Sequence, residues 1–184
     1  MTVETRSSRS LLNGWRIAGW GSALALLLLP AVAMQFTAEV NWTPFDFLAA
    51  ALMLLFLGGA IELAVRTART LPARAGLMIA GLAAFLTFWI NGAVGFIGSE
   101  DEALNLGFYW LVLAALLATL LAWLRPSRMR WIMGAMGLAQ PLMGVLAQRM
   151  MPGHAVEWGV LLFFAAIWLA SAACFHRATI QERS

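Results

Sequence analysis

The acidic triplet Glu100-Asp101-Glu102 is the densest group of chemically capable side chains in the chain, and it follows three glycines, Gly92, Gly95 and Gly98. Three adjacent carboxylates create a negative potential that attracts a cation or a basic partner. The same residues fit a local role, because Ser99-x-x-Glu102 has the spacing of a capping box at a helix start. Acids suit a helix N-terminus and glycine suits a helix end, so both readings stay open.

Glu62 is the only ionisable residue well inside an apolar run. A charge in hydrocarbon costs at least ~2.5–3.5 kcal/mol, so such a residue is a pathway candidate by default. Arg66 follows four positions later, and an i,i+4 ion pair would satisfy the carboxylate locally. Asn91 and Gln140 complete the set of candidates. Pro141 follows Gln140 and leaves the Gly137 carbonyl without its helical donor, so an amide there could line a polar cavity. The alternative is interhelical hydrogen bonding, which also suits Gln148.

No catalytic, cofactor-binding or metal-ligating set emerges. The single cysteine, Cys174, rules out an intrachain disulfide, and His154 and His176 fall at opposite ends of the expected topology. No serine sits in a nucleophile elbow, and no phosphate-binding glycine pattern is present.

The elements that must position these residues follow from composition. The 184 residues are 62% hydrophobic and 11% charged, against about 25% charge in a soluble domain. A soluble fold of this size could not bury so much apolar surface. The expected solvent is the lipid bilayer. All twelve basic residues are arginine, scattered in small groups between apolar runs, which excludes a nucleic-acid face.

Six uncharged or nearly uncharged runs reach bilayer-spanning length: 17–36, then roughly 45–65, 76–98, 104–124, 131–149 and 156–175. The first has the basic start and Ala31-Val32-Ala33 site of a secretory signal. It is longer than an ordinary signal core, so it reads as a retained helix bent near Pro30. Arg6, Arg9, Arg16, Arg66, Arg69, Arg74, Arg125, Arg128, Arg130, Arg177 and Arg183 would share one side of the membrane. Glu39, Asp46, Glu100, Asp101, Glu102 and Glu157 would share the other with Arg149. The positive-inside rule then places both termini in the cytoplasm.

The expectation is an all-α polytopic membrane protein, a bundle of six transmembrane helices, N-in and C-in. Residues 1–16 and 176–184 form cytoplasmic tails around a transmembrane domain at 17–175. Most tryptophans fall near the two interfaces, while Trp89 and Trp168 lie deeper and should pack between helices. Gly76, Ala80 and Ala84, and likewise Ala135 and Ala139, recur at helical spacing and should let helices approach closely.

The segments EVNWTPFDF (Glu39–Phe47), IELAVR (Ile61–Arg66), NGAVGFIGSED (Asn91–Asp101), GLAQPLMGVLA (Gly137–Ala147) and FFAAIWLASAACFHRA (Phe163–Ala178) resemble a family of small, uncharacterised proteobacterial inner-membrane proteins. The family hairpin reads GSEDNPANL, whereas this chain has Glu102-Ala103-Leu104 after Asp101 and so gains an acid and loses a proline. The resemblance implies a multi-pass protein of the bacterial inner (cytoplasmic) membrane and no activity.

Two function classes follow. The first is a non-catalytic accessory, assembly or docking component whose acidic periplasmic face meets a membrane or periplasmic protein, or a second copy in a homo-oligomer. The second is a small cation or solute channel or carrier, with Glu100, Asp101 and Glu102 gathering the cargo and Asn91, Gln140 and Glu62 lining its path.

Overall fold

The computed structural model describes residues 14–99, 101–153 and 155–183. Glu100, His154 and the tail arginines Arg6 and Arg9 lie outside them. The described chain is all-helical: α1 (Gly14–Ala33), α2 (Pro44–Thr67), α3 (Leu71–Ala93), α4 (Asn105–Leu121), α5 (Pro126–Met150) and α6 (Trp158–Gln181). Each corresponds to one of the six apolar runs. Four of them, α1, α2, α3 and α6, are long and apolar enough to cross a membrane. α4 is apolar with only 17 residues, about 26 Å of helix. α5 has 25 residues, but Arg128, Arg130, Gln140, Gln148 and Arg149 dilute its apolar character.

Contact density divides the chain within α2, between Gly58 and Gly59. In the first unit Thr43 and Asp46 start α2 reciprocally. The Thr43 backbone N–H donates to Asp46 Oδ2 (2.7 Å), and the Asp46 N–H to Thr43 Oγ1 (3.3 Å). Gly58 admits the Trp20 ring, since a Cβ there would come within 2.6 Å of Trp20 Cη2.

The second unit carries a four-helix bundle. α3 packs on α4 and α6, and α5 packs on the same two, so the helices form a closed square in chain order. Short connections make such sequential neighbours antiparallel. Helix boundaries have local causes. α3 begins before the apolar run because Thr70 Oγ1 accepts from the Ala73 N–H and Pro72 suits the first turn. α6 continues past His176 and Arg177 to Gln181. There Arg130 Nη1 lies 3.2 Å from His176 Nδ1, and because a guanidinium only donates, that ring nitrogen accepts.

Small residues set the interhelical distances, though not all those expected. Gly76 meets the Phe175 ring and its carbonyl accepts from Ser171 Oγ (2.8 Å), joining α3 to α6. On α5 the close approach belongs to Gly137 and Gly144. Their Cβ positions would come 2.7 Å from Leu169 Cγ and from Leu161 Cδ1, respectively. Ala135 is exposed and Ala139 half-buried, which corrects the expectation that they form the contact face. The helical period puts the buried strip of α5 at Met133, Met136, Gly137, Gln140, Gly144 and Ala147 instead. Trp168 is buried as expected, whereas Trp89 is 42% exposed and stacks on Phe85, one turn away on its own helix. Leu117, Leu120, Leu121, Leu138 and Leu142 are exposed on α4 and α5, an apolar exterior around a partly polar centre.

Candidate functional site

The α3–α4 hairpin is not a solvated loop. Phe96 and Ile97 turn inward and are almost fully buried, joining Phe108, Ala147, Leu161 and Phe164 in one apolar cluster. The Phe96 ring packs edge-on against Phe108 (4.6 Å between centroids) and Phe164 (4.9 Å). Ile97 also forms an isolated antiparallel bridge with Val156, tying this hairpin to the α5–α6 connection. Helix α3 therefore ends at Ala93, short of the expected position 98, because the next residues leave the helix to fill the core.

Bending the chain inward strands backbone polar groups, and Asn105 takes them up. Its Oδ1 accepts from the Phe96 and Ile97 N–H groups, both at 3.1 Å. Its Nδ2 donates to the Ile97 carbonyl (3.1 Å) and the Ser99 carbonyl (2.6 Å). One amide thus bonds four backbone groups, three of them on the buried Phe96 and Ile97, where loss of the partner is costly. Asn91, at the end of α3, donates from Nδ2 to the Asn105 carbonyl (2.8 Å) and fixes the other side of the turn. Gly95 has φ +72°, and a Cβ there would come 2.6 Å from Asn105 Nδ2, so glycine is required on both counts.

This arrangement corrects the capping-box expectation. α4 starts at Asn105, its N-cap is Leu104, and no side chain among the described residues caps it. Ser99 and Glu102 form a backbone turn, with the Glu102 N–H donating to the Ser99 carbonyl (3.2 Å). Asp101 is exposed and Glu102 half-buried on the outer side of the turn, and Glu100 between them and Ser99 is outside the described residues.

The other candidates sit elsewhere. Glu62 is joined to Arg66 on its own helix, with Oε1 2.8 Å from Nε and 2.6 Å from Nη2. Gln140 is buried in the middle of α5, and neither of its amide atoms has a hydrogen-bond partner among the described residues. Gln148 is exposed. The structure brings Asn91 to the acidic hairpin and places Glu62 and Gln140 in two further, separate settings. Among the described residues, no three His, Cys, Asp or Glu side chains group as metal ligands.

No family model, curated protein or solved structure matches this chain. The hairpin is plugged into the bundle by Phe96 and Ile97, clamped by two asparagines, and carries the exposed Asp101 and the half-buried Glu102 beyond the clamp.

The residue that sequence reasoning missed is Asn105. It reads as an ordinary polar residue at the start of an apolar run. The available signal was its spacing, since a second asparagine fourteen positions after Asn91 brackets the glycine-rich turn.

Proposed function

We propose that this chain is a non-catalytic integral protein of the bacterial inner membrane, an accessory, assembly or docking component that presents a fixed acidic hairpin to a basic partner. All six helices cross the bilayer in this reading, with both termini in the cytoplasm and the α3–α4 hairpin in the periplasm. α4 and α5 cross as members of the four-helix bundle, where helix neighbours shield the polar residues of α5. The apolar exterior of α4 and α5 and the segregation of arginine from acid support it, as does the resemblance to small inner-membrane proteins.

The observation that carries the docking role is the anchoring of the hairpin. Holding Asp101 and Glu102 on a turn whose backbone is already hydrogen-bonded removes much of the ordering entropy that a mobile loop would lose on binding. The carboxylates add long-range attraction and orientation.

The test is co-purification from gently solubilised membranes at native expression. A constant partner should be recovered with the parent chain and lost when Asp101→Lys and Glu102→Lys are combined. Recovery of the chain alone, or equal recovery of the partner by the charge-reversed variant, would overturn the reading.

A further inference from the structure

Arg130 lies where the first turns of α5 meet the last turns of α6, and the protein holds its guanidinium on two sides. Nη1 is 3.2 Å from His176 Nδ1, and the group lies over the Trp131 ring, 5.1 Å from its centroid. Its Nε is buried with no hydrogen-bond partner among the described residues. What the group lacks is a counter-anion. Neither α5 nor α6 contains Asp or Glu, and no carboxylate among the described residues pairs with Arg130. A guanidinium already held in place binds an oxyanion with less ordering cost than a mobile one, and its planar N–H donors match phosphate. His176 accepts on Nδ1, so its ring proton is on Nε2 and adds a further donor.

The surroundings identify the anion as part of a lipid. Trp131 is 70% exposed, and indole rings and arginines prefer the headgroup depth of a bilayer. From Trp131 the exposed residues of α5 continue as Ala135, Leu138 and Leu142, an uncharged strip at helical spacing. The seam with α6 is shallow beside that strip. Arg130 meets His176, Gly137 meets Leu169 and Gly144 meets Leu161, so the two helices run antiparallel in one steady register. Gly134 then falls level with Ala172 and Ala173, and among the described residues nothing lies within 4 Å of its Cβ position. A phosphate held at Arg130 thus has an apolar notch and an apolar strip next to it. Those suit an acyl chain and offer nothing to a free ion.

We propose that the Arg130–His176 end of the α5–α6 seam binds the phosphate of an anionic phospholipid, with an acyl chain running past Gly134. The inference rests on the reading that α5 crosses the bilayer with its first turn at the cytoplasmic surface, which makes the lipid one of the inner leaflet. Charge sets the selectivity. A zwitterionic headgroup carries its own cation, which Arg130 and the exposed Arg128 and Arg177 repel, whereas an anionic headgroup brings none.

The test is native mass spectrometry of the full chain, released from detergent micelles containing equal amounts of phosphatidylglycerol and phosphatidylcholine with the same acyl chains. The parent chain should retain phosphatidylglycerol preferentially. Arg130→Gln should reduce that preference about fivefold, the effect of one arginine at an anionic surface. Arg128→Gln makes the same charge change two residues away and should reduce it much less. Millimolar inorganic phosphate should not displace the lipid. Equal retention of the two lipids by the parent chain would overturn the proposal without any variant. A loss in Arg128→Gln as large as that in Arg130→Gln would replace the site by diffuse charge and overturn it too. Displacement by inorganic phosphate would leave a free-anion site and overturn the lipid assignment. Micelles have no sides, so failure here leaves untouched the topology and the docking role, which sidedness and partner recovery test separately.

Discussion

The Asn91 side chain donates to the backbone carbonyl of Asn105 across fourteen residues, with both asparagines almost completely buried. The bond links the last turn of α3 to the first residue of α4, and the glycine-rich turn between them is folded back into the bundle. The two amides are not equivalent. Asn105 uses its oxygen and its nitrogen on four backbone groups, whereas the Asn91 oxygen has no partner among the described residues.

That difference separates two substitutions. Asn105→Ala takes the side-chain partner from the Phe96 and Ile97 N–H groups and the Ile97 carbonyl beside the core, and should cost about 3 kcal/mol or more. Asn91→Ala removes one bond together with an oxygen that is unpartnered among the described residues, and should cost about 1 kcal/mol. Thermal unfolding in detergent measures both. Hydrogen exchange at Phe96 and Ile97 should rise sharply in the first variant only, and equal effects would contradict the assigned roles.

Gly95→Ala should be as harmful as its neighbours are rigid. The left-handed backbone costs an alanine about 1–2 kcal/mol. Its methyl would also approach Asn105 Nδ2 at 2.6 Å and the Ser99 carbonyl oxygen at 2.8 Å. Loss of partner co-purification in this variant, with α5 and α6 still protected from exchange, would show that hairpin shape matters beyond its charge.

The glycines of α5 make an opposed pair. Gly144→Leu drives a side chain into Leu161 and Trp158 and should separate α5 from α6, lowering the unfolding temperature markedly. Among the described residues nothing lies within 4 Å of the Cβ position of Gly134, so Gly134→Ala should stabilise the helix by about 0.5–1 kcal/mol. Destabilisation by both would mean that Gly134 faces a neighbour that the bundle does not supply.

Glu62 is predicted to be dispensable. Its side chain is 18% exposed against 60% for Arg66, and i,i+4 pairs within one helix contribute only about 0.2–0.5 kcal/mol. Glu62→Gln should leave unfolding and partner recovery nearly unchanged. Abolition of a measurable cation flux in liposomes by this one substitution would revive the carrier reading.

The helices were legible because apolar length and arginine spacing are one-dimensional signals, and each of the six runs became a helix. Their packing was less so. Ala135 and Ala139 have the right spacing for a contact face, but the face is set by where Gly137 and Gly144 meet α6, which needs the partner helix to be known. The hairpin was half legible. Its glycines and acids marked a turn, and the Ser99-x-x-Glu102 pattern suggested a helix start there. The true start lies at Asn105, because burial of Phe96 and Ile97 creates a hydrogen-bond demand that no local pattern records. Glu62 and Arg66 were legible together because an i,i+4 pair is local.

The most direct test of the account is the sidedness of the two ends of α3. With Cys174 replaced by alanine, Arg69→Cys and Asp101→Cys supply single reporters in otherwise unchanged chains, probed in intact cells and in inverted vesicles with a thiol reagent that does not cross membranes. The account predicts labelling of position 101 only in intact cells and of position 69 only in inverted vesicles. Labelling of both positions in the same preparation would contradict it.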